Sequence, residues 1–480
     1  MAREVDVVVI GGGPVGENVA DRARAGGLDV LLVERELVGG ECSYWACVPS
    51  KTLLRSAAAV RAAQRVPGAA EAVTGRLDVD AVLRRRNAFV SDWSDTGGEE
   101  WLRSVGIGLE RGHARLTGVR EVEVERADGS TLAVTARHAV VLATGSDPAA
   151  PPIDGLDAAR PWFSREATSA QEVPARLAII GGGVVAVEMA TAYAGLGSEV
   201  TVLVRHGLLD RMEPFAADLV LAGLRELGAS VRLGVSPTRV TRNEHDEVVV
   251  ELDSGDPVVA DEVLVATGRR PRTDDLGLES VGLVPGDWLQ VDDTLVVTDA
   301  PGETPWLYGV GDVAHRALLT HQGKYQARAA GDAIAARALG RPVDDAPWGV
   351  HAATADHRAV PDVVFGEPEV ASIGLTAAAA EAAGLRVRAV DVGLDSVSGT
   401  GIHSDGPPGA ARLVVDLDRG TVAGATFVGQ DVAELLHAAT IAVVGEVPID
   451  RLWHAVPAFP TVSEVWLRLL EAYGRPEVAS

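Results

Sequence analysis

Two residue types mark the chemistry of this chain by their scarcity. Its only cysteines, Cys42 and Cys47, stand five positions apart in Gly39-Gly40-Glu41-Cys42-Ser43-Tyr44-Trp45-Ala46-Cys47-Val48-Pro49-Ser50-Lys51. One of only two lysines in 480 residues, Lys51, follows four positions later. In a reducing compartment so close a pair points to catalysis or metal binding rather than to a structural staple. A closed zinc site needs four ligands, and no second cysteine pair exists. No metal is expected, and the stretch reads as a reaction centre.

Such a centre needs elements that bring electrons to it. Residues 6–34 read DVVVIGGGPVGENVADRARAGGLDVLLVE, an apolar strand, a glycine turn, an amphipathic helix and a second apolar strand. Residues 176–204, RLAIIGGGVVAVEMATAYAGLGSEVTVLV, repeat that form at an offset of 170 residues. The chain therefore carries two dinucleotide-binding βαβ units, because each Gly-x-Gly-x-x-Gly-like turn sits between a strand and a helix. Gly11 permits the tight turn, Gly13 lets backbone amides approach a pyrophosphate, and Gly16 allows close helix packing. The second copy has Gly181, Gly183 and, at the third position, Ala186.

The first copy ends in Glu34, placed to accept hydrogen bonds from an unphosphorylated ribose, which suits FAD or NAD. The second has Val204 there, followed by Arg205, His206 and Arg211. A carboxylate would repel a 2′-phosphate, whereas a guanidinium holds it with two charge-assisted bonds. NADPH is the expected donor, with NADH the alternative if these are ordinary surface arginines.

Composition limits the remaining choices. Apolar residues make up 47% and charged residues 23%, a globular balance with no disordered tract. A net charge of −25 and a pI near 4.8 argue against nucleic acid, which needs a basic patch. The short run Arg84-Arg85-Arg86 is expected on a solvated helix face. No run of about 18 apolar residues predicts a spanning helix. The first strand begins almost at the initiator methionine, leaving no signal peptide, so a cytoplasmic protein is expected.

Residues 55–103 read as largely helical and are expected to lie over the first domain. Residues 140–146 form an apolar strand ended by Ala143-Thr144-Gly145, and 263–269 repeat the form around Thr267-Gly268. Residues 148–152 are proline-rich, as a crossover linker should be. Gly311-Asp312 places an acid after a strand and a glycine turn, and a helix opens near Thr320. From Ala359 onward, strands at 362–365, 385–392, 412–416 and 421–428 alternate with helices at 376–383 and 432–444.

With these motifs the chain resembles the flavoprotein pyridine nucleotide-disulfide oxidoreductases, the group of glutathione reductase, dihydrolipoamide dehydrogenase and mercuric reductase. The likeness rests on the first glycine motif, Cys42-x4-Cys47-x-Pro49-Ser50-Lys51, both Ala-Thr-Gly turns, Gly311-Asp312 and Phe459-Pro460-Thr461-Val462-Ser463-Glu464. It implies an α/β fold with two Rossmann-like dinucleotide-binding domains, for FAD and NAD(P)H, and a C-terminal α+β dimerisation domain. The expected boundaries are 1–152 and 273–345 for the FAD domain, 153–272 for the nicotinamide domain and 346–480 for the interface. A homodimer is implied. FAD would meet Gly11, Gly13, Gly16, Glu34, Lys51, Thr144, Gly145, Gly311 and Asp312. NADPH would meet Gly181, Gly183, Ala186, Arg205, His206, Arg211 and Gly268.

Hydride would pass from the nicotinamide to the flavin and electrons would leave through the dithiol pair. Cys47, at the start of the following helix, is expected to be the thiolate facing the flavin, its pKa lowered by helix amides. Cys42 is then the interchange thiol. A disulfide closing so short a loop cannot sit in a regular helix, so a distorted backbone and a reducible bond are expected. In relatives Lys51 pairs with a glutamate at the position of Glu188, near the flavin's reacting nitrogen.

Relatives that reduce disulfides carry histidine where this chain has Phe459, with Glu464 orienting it. Phenylalanine cannot carry a proton, and Glu464 is left without that partner. His454 is the nearby substitute, although a lone histidine beside Trp453 is more often simply packed. Glu41, Tyr44 and Trp45 replace smaller residues and are expected to narrow the approach to the thiols. The expected activity is electron transfer from NADPH to a small-molecule acceptor: a small disulfide, a quinone or another oxidant. The alternatives are a redox-sensing or interaction flavoprotein, or a dihydrolipoamide dehydrogenase-like enzyme using His454.

Overall fold

The apolar run near the N-terminus has no polar face to offer water, and it becomes the buried strand Arg3–Ile10 of a parallel sheet. The computed structural model describes residues 3–406 and 409–475. The chain divides into two compact units, one of Met1–Pro49, Asn87–Ala149 and Gly268–His357, the other of Ser50–Arg86, Ala150–Thr267 and Arg358–Ser480.

In the first unit the sheet runs Gly108–Arg111, Val30–Glu34, Arg3–Ile10, Thr131–Leu142, Glu121–Glu125, His113–Gly118, with Leu307–Gly309 also pairing with Thr131–Leu142. Alternation divides its central strand between two cores. Val7 and Val9 pack with Val19, Ala23 and Ile334 from helices Pro14–Ala25 and Thr320–Ala338. Val8 and Ile10 face Leu116, Val122 and Trp306 on the other side. Strand Ser146–Pro148 runs antiparallel to Arg269–Pro271 and takes in only Pro148 of the expected linker 148–152, whose other residues lie outside helix and strand.

The second unit holds a four-stranded parallel sheet ordered Ser230–Leu233, Glu199–Val204, Arg176–Ile180, Glu262–Val265. A three-stranded antiparallel sheet and a five-stranded one follow, the latter ordered Pro361–Val364, Glu369–Gly374, Thr421–Gly429, Ala410–Asp416, Val387–Gly393. Strand Glu369–Gly374 and helix Val465–Tyr473 were not expected from the sequence.

Much of the helical stretch does not cover the first glycine-turn unit: Leu53, Leu54, Val82 and Leu83 join the core built around Ile179, Met189 and Tyr193 of the second. Arg86 is not on a solvated face. It is fully buried and donates to the carbonyl oxygens of Thr168 and Ala170, at 2.7 Å for the latter. Burial pushes its pKa below the usual arginine value, and the carbonyls offset the cost of the buried charge.

Candidate functional site

The two glycine turns are built alike. Gly11 has φ +105° and a Cβ there would lie 2.4 Å from the Ala143 carbonyl oxygen; at Gly181, φ +136°, the Ala266 oxygen would be at 2.3 Å. In each the glycine amide donates to the partner strand, Gly11 to Val33 at 2.9 Å and Gly181 to Leu203 at 3.0 Å. Both Ala-Thr-Gly turns thus wall the back of a nucleotide turn. At Gly16 an added Cβ would fall 1.9 Å from the Gly11 oxygen, so that position admits glycine alone.

Helix Pro14–Ala25 follows with no side chain capping its N-terminus, which leaves its first amides for an anion. Glu34 accepts from the amides of Gly12 at 2.6 Å and Glu36 at 2.7 Å. A carboxylate has further lone pairs for ribose hydroxyls. Thr144 donates to the Arg272 carbonyl at 2.8 Å, and the Gly145 carbonyl accepts from the Arg272 amide at 3.1 Å. The Gly311 amide is held by Gln326 at 2.8 Å, and Asp312 accepts from Ser146 Oγ at 2.5 Å. These glycine-lined surfaces and carboxylates fit FAD.

Beside this turn lies the cysteine stretch. Gly40 backs onto Gly13 so closely that a Cβ on it would sit 2.7 Å from the Gly13 Cα. Cys42 lies in the short helix Gly40–Tyr44, which stops at Trp45, and Cys47 opens helix Cys47–Gln64. A disulfide joins them with Cα atoms 4.7 Å apart. The expected distortion is this break between helices. Cys47 Sγ lies 3.3 Å from Thr320 Oγ1, a neighbour that sequence reasoning missed; the only hint was its place at the opening of a helix. Tyr44 does not narrow the approach to the thiols, being buried with its hydroxyl donating to the Ser94 carbonyl at 3.2 Å.

In the second unit Lys51 Nζ meets Glu188 Oε2 at 2.7 Å. Glu188 also accepts from the Phe365 amide at 3.1 Å, and the ammonium sits 5.0 Å from the Phe365 ring centroid. Phe365 is a further residue that the sequence did not single out. Gly183 caps helix Val184–Leu196, in which Ala186 is buried. Val204 is buried, while Arg205, His206 and Arg211 are exposed, Arg205 Nε donating to His206 Nε2 at 2.8 Å. Among the described residues no ion pair involves Arg205 or Arg211. Gly268 belongs to the other compact unit.

Glu464 is buried and, with phenylalanine rather than histidine at 459, pairs with Arg468 Nη2 at 2.6 Å one turn along. His454 is exposed rather than packed beside Trp453, and Phe459 is 73% exposed.

The pyridine nucleotide-disulphide oxidoreductase family model matches residues 5–332, and that family's dimerisation domain matches 360–469. The chain belongs to this family. It is 33% identical over 474 residues to dihydrolipoyl dehydrogenase of Chlorobaculum tepidum, covering 97% of this chain and 96% of that one. It is 33% identical over 459 residues to mercuric reductase of Streptomyces lividans, with 94% and 92% covered. The fold is shared with the HOCl-induced flavoprotein disulfide reductase RclA of Escherichia coli, at TM-score 0.82, 23% identity and 98% and 99% coverage. LpdA of Mycobacterium tuberculosis matches at TM-score 0.81, 24% identity and 98% and 99% coverage.

The protein is accordingly an FAD-dependent oxidoreductase that works with a pyridine nucleotide, with the two Rossmann-like parts and C-terminal α+β part of that fold and a homodimeric assembly. No helix among the described residues is long and apolar enough to cross a membrane.

Proposed function

We propose that this oxidoreductase carries electrons from NADPH to the Cys42–Cys47 disulfide and on to a small acceptor, a reactive disulfide, a quinone or another oxidant, without an acid-base histidine. The observation that carries the reading is the disulfide itself, closed between two helices with Cys47 at the first position of the longer one. Helix amides there favour the thiolate, and the Thr320 hydroxyl is within reach to donate to it. FAD, when bound, supplies the relay between a two-electron hydride donor and a dithiol.

Its holders would be Gly11, Gly13 and Gly16 for the diphosphate, Glu34 for the ribose, and Thr144, Gly145, Gly311 and Asp312 beyond. Glu188 holds the Lys51 ammonium in place by the ion pair at 2.7 Å. NADPH rather than NADH is favoured by Arg205 and Arg211, which no carboxylate neutralises among the described residues. Cys42 would attack the acceptor, and no proton carrier stands at Phe459. That favours acceptors whose reduced form leaves without protonation by the protein.

The names of the relatives point to dihydrolipoyl groups and mercuric ion. The second lacks support, since no cysteine beyond the pair is present to capture the metal. The first would need His454, whose exposure leaves it available to a second copy of the chain.

A panel of disulfides, quinones, mercuric ion and dyes, each with NADPH and NADH and followed at the flavin absorbance, tests the reading. Turnover of about 1–10³ per second with one acceptor is expected, and turnover below about one per minute with all would leave a redox sensor. Loss of lipoamide reduction in His454→Ala would favour the dihydrolipoyl enzyme.

A further inference from the structure

The residue before Cys42 is charged and largely buried, and its partners come from far along the chain. Glu41 Oε2 accepts from Arg269 Nη2 at 2.9 Å and Oε1 from Arg272 Nη2 at 2.7 Å. Arg272 Nε also donates to Asp147 at 2.5 Å. Arg269 Nε donates to Ser146 Oγ at 2.5 Å, and that hydroxyl donates onward to Asp312 at 2.5 Å. Two cations and three carboxylates thus form one connected group running from the cysteine turn to the acid expected beside the flavin. Burial alone would weaken the Arg272 cation, but Glu41 and Asp147 raise its pKa above the usual value. The Arg272 guanidinium therefore stays charged.

We propose that Glu41 is a positioning residue for Cys42: its carboxylate, held by Arg269 and Arg272, fastens the Cys42 turn and gives the group one negative charge more than its cations balance, which disfavours a thiolate on the adjacent Cys42. This rests on the reading of Cys42–Cys47 as the redox pair. Reduction breaks the S–S bond with two electrons and yields two thiols when two protons are taken up, one fewer where a thiolate is kept. A neighbouring negative charge disfavours the thiolate, hence the reduced form, and lowers the reduction potential. Glu41 in this way keeps the disulfide stable until electrons arrive through the flavin. The adjacent Gly40 lies against Gly13, so the turn that carries Glu41 and Cys42 is also fixed against the first glycine turn.

The test equilibrates the purified holoenzyme in dithiothreitol redox buffers, without nicotinamide or acceptor, and traps the free thiols. In Glu41→Gln the equilibrium should move about tenfold toward the dithiol, about 30 mV for a two-electron couple. Glu41→Asp, which keeps the charge, should stay within about threefold of the natural protein. Arg272→Gln should move the equilibrium the other way, and it carries the test if Glu41→Gln does not fold. An unchanged equilibrium in Glu41→Gln, or equal shifts in the Gln and Asp variants, would overturn the proposal. Failure of NADPH to reduce the pair in the natural protein would instead defeat the proposed electron path, because the dithiothreitol equilibrium is measured independently of it.

Discussion

The two glycine-turn units share a backbone and differ in chemistry. Gly39 donates to the Gly12 carbonyl at 2.7 Å, and Leu209, 170 positions on, donates to Gly182 at 2.8 Å. Ala143 donates to Ile10 and Ala266 to Ile180, each at 2.8 Å. Around this common frame the first copy has Gly16, Glu17 and Glu34, and the second has Ala186, Val187 and Val204. The difference teaches that one backbone frame can carry different side chains: a Cβ is excluded at Gly16, where it would meet the Gly11 oxygen, while Ala186 is accommodated and buried at the matching place.

Alanine at the third glycine should separate the copies most sharply. Gly16→Ala places a methyl 1.9 Å from a backbone oxygen that cannot move without the turn, and FAD retention after gel filtration should fall at least 100-fold. Ala186→Gly should cost only about 1 kcal/mol by helix propensity and leave nicotinamide binding intact. A yellow Gly16→Ala protein would break the comparison.

Reversing charge at the second ribose position comes next. Arg205→Glu should raise the KM for NADPH about 10–100-fold while changing that for NADH little, since a carboxylate repels only the phosphorylated ribose. Equal effects on both donors would remove the phosphate clamp.

The smallest effect concerns Glu17, for which the second copy has Val187. Burial raises its pKa to about 7, with Lys324 opposing and Glu34 adding to the rise. A carboxyl with a raised folded-state pKa contributes stability below its unfolded value near 4.5, and that contribution is lost as pH climbs through about 7. Glu17→Gln should therefore flatten the decline in FAD-free stability between about pH 4.5 and 7, by on the order of 1–3 kcal/mol. Denaturant midpoints across that range would check it, and an unchanged slope would place Glu17 in a wetter site.

What could be read from the sequence follows from how far each signal travels. The glycine turns, the disulfide and the Gly311-Asp312 element depend on residues within one βαβ unit or one turn, so spacing alone announces them. The partners of Glu41 lie 228 and 231 positions away, and nothing in the cysteine stretch predicts them. Arg86 misled because a three-arginine run looks solvated, whereas its carbonyl partners lie more than 80 positions further along the chain. Strand Glu369–Gly374 has the burial of an interior strand without alternating polarity, so no period marks it.

The central claim, that electrons leave through the Cys42–Cys47 pair, is tested most directly by adding one equivalent of NADPH anaerobically to the natural protein and to Cys47→Ser. A long-wavelength absorption from a thiolate beside the flavin is expected in the natural protein and none in the variant. An identical band in both would contradict it.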